Sequence, residues 1–339
     1  MWLRTTAIFA CAALLAPLPA GAWGAQGHRI VSGAAMRALP AALPAFLRSQ
    51  NAHDEVALLG PEADRVKGAG APLDDDDDPA HYVDVRDDGT VAGVVPLAAL
   101  PRDQKAYDAA LRGANSDQWS QGYLPYAIAD GWERLVRDFA YWRVDALGVA
   151  RATSADDKAF FAFDRSVREA VTLRDIGYWS HFVADGSQPL HVSVHFNGWN
   201  SAAYPNPDRY SDSRTIHSRF ETALVRAVAS EDRVVARMPA VAASDAPILG
   251  QVGSYLSTTE SFVPAVYRLE AAGGIDAHSD PAAALVIDRL AAGAAELRDL
   301  IVAAWNASAN AKVGYPATSV RDLESAPGVP QRASLGLGD

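Results

Sequence analysis

Cysteine is all but missing from this chain: its 339 residues include one, Cys11. That residue falls in an N-terminal stretch that reads as a leader, so the remainder has no thiol and no disulfide can support it. Residues 1–4 are a short basic start carrying Arg4, residues 5–20 are mostly apolar, and Ala20-Gly21-Ala22 is a small-x-small cleavage signal. Cys11 sits midway along the apolar run rather than at its end, which argues against lipid attachment. Long hydrophobic runs are also lacking. The leader is interrupted by Pro17 and Pro19 and is too short to span a bilayer comfortably, and no later segment is longer. The expectation is a secreted or periplasmic protein, released by cleavage after Ala22, with no membrane span.

An excess of positive charge is the third absence. The formal charge is −11, and loss of Arg4 with the leader brings it to −12. Tight, extended binding to duplex nucleic acid relies on broad Lys/Arg surfaces, and this balance argues against it. A polyanionic substrate is still compatible with a site where metal ions supply the local positive charge. Alternating strand-like runs are scarce too, while Ala, Leu and Arg recur at three- and four-residue steps. The pattern predicts an all-α fold, with helices over 26–39, 103–112, 125–145, 155–185, 217–229, 248–270 and 281–304. Pro125 suits a first helical turn and Ser154 an N-cap. Gly186 and Pro189 end the longest helix after Asp185 and leave His191 on the following loop. Residues 74–78, five consecutive aspartates, read as a solvated loop, and 198–213 as a long connection. With no repeat and no internal linker, the chain divides into a leader (1–22), one domain (23–325) and a disordered tail (326–339).

What is present in unusual order is histidine with carboxylate. Five of the eight histidines and three acids fall into a ligand-like spacing. The core is His181-x3-Asp185-x5-His191, followed by His217-x3-Glu221. A four-residue step stacks two side chains on one helix face about 6 Å apart, where one ion or an adjacent pair can be gripped. Imidazole with carboxylate suits zinc, and several such ligands converging suit a multinuclear site. The chemistry indicated is metal-assisted hydrolysis, and no Ser or Cys with triad partners is apparent. Cleavage after Ala22 would also expose the amine of Trp23, whose pKa near 8 lets it lose a proton to a metal. Trp23, His28, the pair Asp64-x2-Lys67 and the run His81-Tyr82-Val83-Asp84 each read alone as ordinary core or surface. Trp132, Phe139, Tyr141 and Trp142 recur at helical spacing and read as core. His195 reads as a supporting or packing residue, and His53 and His278 as solvent-facing.

Taken in order, Trp23…His28, Asp64-x2-Lys67, His81-Tyr82-Val83-Asp84, His181-x3-Asp185, Gln188-Pro189-Leu190-His191 and His217-x3-Glu221 resemble one superfamily. It comprises the trinuclear zinc single-strand nucleases (nuclease S-one/P-one type, also 3′-nucleotidases) and the bacterial zinc-dependent phospholipases C. The resemblance implies a single, mainly helical domain of that type holding three Zn²⁺ per chain. By position, Asp64, His81 and His181 would hold one ion, with Asp185 bridging to a second. The amino nitrogen and carbonyl of Trp23, with His28, would hold the second, and His191, His217 and Glu221 the third. Asp64, Lys67 and Asp84 would serve catalysis, with Asp84 orienting Lys67 towards the charge at phosphorus. Tyr82 and Asn200 would touch substrate. Two departures stand out: Glu221 replaces the Asp of typical nucleases, and Gly198-Trp199-Asn200 replaces their Gly-Gly-Asn. The implied activity is hydrolysis of single-stranded DNA or RNA and of 3′-nucleotides to 5′-phosphorylated products, by a monomer without an obligate protein partner. The alternatives are a phospholipase C acting on phosphatidylcholine-like lipids and, from another class, a non-catalytic zinc-binding protein.

Overall fold

In a computed structural model of the protein, residues 23–336 are described; the expected leader and its cleavage point, and residues 337–339, lie outside them. Helix accounts for 63% of the structure and strand for 3%, which makes it all-α as the periodicity predicts. The frame is a hairpin of the two long helices Leu124–Arg151 and Ala155–Asp185. A three-residue connection reverses the chain between them, and Ser154 caps the second helix by accepting from the Asp157 amide. Close approach is possible because small residues face large ones: a Cβ on Gly148 would lie 2.3 Å from the ring of Phe161. Helix Asp280–Ser308 packs across both, and Ala25–Arg37 lies between it and Gln50–Leu59. One apolar core runs through all five, from Trp23 to Ala304.

Several boundaries differ from the sequence reading. Residues 248–270 form two helices, Ile248–Glu260 and Val263–Ala271, because Pro264 has no N–H to continue the first and instead fits the opening turn of the second. The predicted 217–229 helix runs over 216–228 and widens to π pitch between Arg219 and Leu224. The aspartate run is not a loop. It forms the exposed turn Leu73–Asp77 and leads into the 3-10 turn Asp78–His81. Helix Gln50–Leu59, unpredicted, is capped by Ser49.

The stretch 326–336, expected to be disordered, packs against the hairpin. Leu335 is buried beside Ala140, Val144 and Phe161. The Arg151 guanidinium donates to the carbonyls of Leu323, Glu324, Ala326 and Gly328, and Arg332 pairs with Asp156 and Asp157. Few apolar residues mark this segment, so its anchoring by distant arginines leaves no periodic signal. Phe139 is fully buried and Trp142 meets Trp305 edge-on, in line with the core reading. His53 is not free in solvent but bonds Asp54 and Glu231; His278 is exposed. Among the described residues no helix is long and apolar enough to cross a membrane.

Candidate metal centre

Six short stretches deliver the ligand-type residues to one place. His28 lies near the start of Ala25–Arg37, Asp64 in the 3-10 turn Ala63–Val66, and His81 at the end of Asp78–His81. His181 and Asp185 stand one turn apart where the longest helix ends, and His191 closes the turn Pro189–His191. His217 precedes the π turn that carries Glu221. These residues form three groups, His28–His181–Asp185, Asp64–His81–His181 and His191–His217–Glu221, each with its donor atoms within 4.8 Å of one another. The first two share His181. Asp185 reaches His28 Nε2 through Oδ1 at 3.5 Å and His181 Nε2 through Oδ2 at 3.3 Å. Asp64 Oδ1 lies 3.6 Å from His181 Nε2 and 3.7 Å from His81 Nε2. In the third group Glu221 Oε2 is 2.9 Å from His217 Nε2 and 3.6 Å from His191 Nε2.

The backbone fixes how four of the imidazoles face. His181 Nδ1 donates to the Gly60 carbonyl at 2.9 Å and His191 Nδ1 to the His81 carbonyl at 2.7 Å. His217 Nδ1 donates to the Phe196 carbonyl at 2.8 Å, and His81 Nδ1 to those of Asp77 and Asp78. Each bond fixes the ring by its Nδ1 and turns Nε2 inward. Gly60 allows this approach because a Cβ there would lie 2.6 Å from Ser32 Oγ and 3.0 Å from the His28 carbonyl. His28 differs: neither ring nitrogen has a partner. Trp23, whose main-chain nitrogen and carbonyl the resemblance assigns to an ion, is fully buried. Its indole N–H reaches the Ala184 carbonyl and Ser187 Oγ, each at 3.0 Å, which fixes the residue beside Asp185.

Electrostatics support cation binding. Burial, then the charges of His181 and Lys67, hold both His28 and His81 well below the ordinary histidine value, so both are neutral donors. Burial opposes charge on His191, but Asp185 and Glu221 hold it up at about 9, a proton that a bound cation would displace. His28 Nε2, His81 Nε2, His181 Nε2 and both oxygens of Asp185 are buried without a hydrogen-bond partner. Leaving that many polar atoms unpaired costs on the order of 1–3 kcal/mol each, and cations shared among them remove the cost. Imidazole and carboxylate donors at this density fit Zn²⁺.

The second and third groups border a cavity of about 320 Å³ whose wall carries Lys67, His81, Tyr82, Asp84, His191 and His217. Lys67 Nζ lies 2.6 Å from Asp64 Oδ1. Burial works against its charge, yet Asp64, with Asp185 and Asp78 behind it, keeps the ammonium above the usual lysine value. Here the structure corrects the expected pairing, because Asp64 rather than Asp84 holds Lys67. Asp84 stands in the same wall with no ion partner among the described residues, its carboxyl pushed up to about 7 by burial. Tyr82 lines the cavity and its hydroxyl donates to the Trp119 carbonyl.

Asn200 does not reach this cavity. It lines a neighbouring one of about 440 Å³, and its amide donates to His195 Nδ1. His195 is buried, stacks on Trp199 at 3.7 Å and bonds Asp87 through Nε2, which makes it a packing residue of the 196–213 connection. Sequence reasoning missed Gly60 and Phe196, whose contributions are carbonyl groups and leave no mark in side-chain spacing. Phe196 also lines both cavities.

Fold and site together define a mostly helical protein with a buried cluster of imidazoles and carboxylates able to hold several cations. No protein-family model matches the chain, and a search of curated proteins gives no match.

Proposed function

We propose that the protein is a zinc-dependent phosphodiesterase of the trinuclear single-strand nuclease type, cleaving single-stranded DNA or RNA and 3′-nucleotides to 5′-phosphorylated products. One observation supports this most: three clustered donor groups, two of them sharing His181, lie behind a single cavity whose wall carries His81, His191, His217 and the half-buried Lys67. Asp64, His81 and His181 would hold one Zn²⁺, and Asp185 with His28 and the main chain of Trp23 a second. His191, His217 and Glu221 would hold the third. When bound, zinc supplies Lewis acidity, lowering the pKa of a water and neutralising phosphate charge. Lys67 keeps its proton and offers a fixed positive charge to a phosphate oxygen. Asp84, whose carboxyl burial raises to about 7, offers a hydrogen bond to substrate, and the ring of Tyr82 a stacking face. The burial of His28, His181 and Asp185 excludes bulk water from the centre.

A phospholipase C acting on phosphatidylcholine-like lipids is the second reading, favoured by Glu221 in place of the nuclease aspartate. A non-catalytic zinc-binding protein is the third, disfavoured because storage needs no lysine beside the donors. The purified protein, stripped with chelator and reconstituted with Zn²⁺, should lose and regain hydrolysis of denatured DNA. Zinc binding without hydrolysis of DNA, RNA or lipid would leave the storage reading.

A further inference from the structure

The third donor group differs from the other two in the neighbour that meets it. The donors of His28–His181–Asp185 lack hydrogen-bond partners and Asp64 in the second group is met by a cation, Lys67, whereas the third is met by a neutral carboxamide, that of Gln188. Gln188 is fully buried and caps the Pro189–His191 turn. Its Oε1 accepts from the Leu190 amide at 2.8 Å. That bond fixes the polarity of the group, since a backbone N–H can only donate. The NH₂ is therefore turned towards Glu221 Oε2 at 3.4 Å and His217 Nε2 at 3.3 Å. His217 gives its Nδ1 proton to the Phe196 carbonyl, so its Nε2 keeps a lone pair for an ion, and the carboxylate is the natural acceptor of the amide.

We infer that Gln188 is a positioning residue for the third ion: it holds Glu221 Oε2 against the two imidazoles and thereby sets the affinity of that site alone. This rests on the metal centre proposed above. Its basis is that a ligating carboxylate is itself oriented by hydrogen bonds, and losing such a support typically costs about 10–100-fold in metal affinity. Glu221 is suited to the role because it sits on the π turn Arg219–Leu224 and faces Gln188 across the group. The main chain at Gln188 is tied down independently: its N–H donates to the Asp185 carbonyl and its carbonyl accepts from the His191 amide, each at 2.9 Å, and Arg289 Nε donates to the Ser187 carbonyl at 3.0 Å. The carboxamide can thus be altered while the turn stays anchored.

The test counts zinc per chain by elemental mass spectrometry across a graded chelator series, for the parent, Gln188→Met, Glu221→Asp and the double variant. Methionine keeps the length and removes both polar atoms. The expected result is that Gln188→Met gives up one ion per chain at about 10–100-fold lower chelator strength while the other two stay. In the Glu221→Asp background, where the shorter arm draws the oxygen away from the amide, the same change should have little further effect. Unchanged release of the third ion, equal loosening of all three, or additive effects in the double variant would each overturn the role of Gln188. A parent that binds no zinc would overturn the metal centre itself.

Discussion

Asp185 places one oxygen 3.5 Å from His28 and the other 3.3 Å from His181, and neither oxygen has a donor. Replacing it with asparagine keeps the shape but removes the charge that lets two cations sit side by side. Asp185→Asn is therefore expected to lose at least one zinc and more than about 100-fold in hydrolysis, beyond the usual cost of removing a mere support. Glu221→Asp keeps its charge and is expected to cost less, loosening one ion only. Near-normal zinc content and turnover in the Asn variant would refute a shared carboxylate. At this scale the sequence was most informative where ligands lie one helical turn apart, as at His181 and Asp185, because helix geometry fixes that distance in advance. It was least informative for Asp84 and Lys67. Their pairing depends on how two irregular turns fold back, and Asp64, three residues from Lys67, is simply nearer.

Between the two long helices lies a second group of charges outside the metal centre. Asp145 is fully buried against Asp164, with Arg168 and Arg165 nearby. Burial first, and then Asp164, push its carboxyl up to about 8. The unfolded carboxyl titrates near 3.9. Between about pH 4 and 8 the unfolded chain has lost this proton while the folded chain keeps it, so stability falls as pH rises across that window and levels off above it. Asp145→Asn removes the titration and supplies an amide donor to Asp164. It should melt about 3–6 °C above the parent at pH 8 and close to it at pH 4, read by calorimetry. A parent whose melting temperature is flat across this range would show that the pair is not protonated. The hairpin that buries this group was legible in sequence: Ser154 caps the 155–185 helix and Gly186 ends it. The break at Pro264 was overlooked because apolar spacing continues through it on both sides, and the π turn because a single inserted residue barely alters the spacing.

For the molecule as a whole, the balance of −11 means that long-range attraction gives little help to a polyanion. Recognition must come at close range, from Lys67 and whatever cations the buried donors hold. The cavity of about 320 Å³ is of a size for one nucleotide's phosphate and base rather than for a stacked duplex. A flexible strand can turn a base onto the ring of Tyr82, and stacking of that kind is worth roughly 1–3 kcal/mol. Heat-denatured DNA is therefore expected to be cut faster than duplex DNA and faster than dispersed phosphatidylcholine. Tyr82→Ala should reduce kcat/KM on denatured DNA by about 5–160-fold, the rate equivalent of that stacking energy, while leaving zinc content unchanged. Parallel rate measurements on the three substrates, for parent and variant, decide the matter. Faster cleavage of lipid with denatured DNA left intact would overturn the nuclease reading and favour the phospholipase, for which Glu221 already speaks.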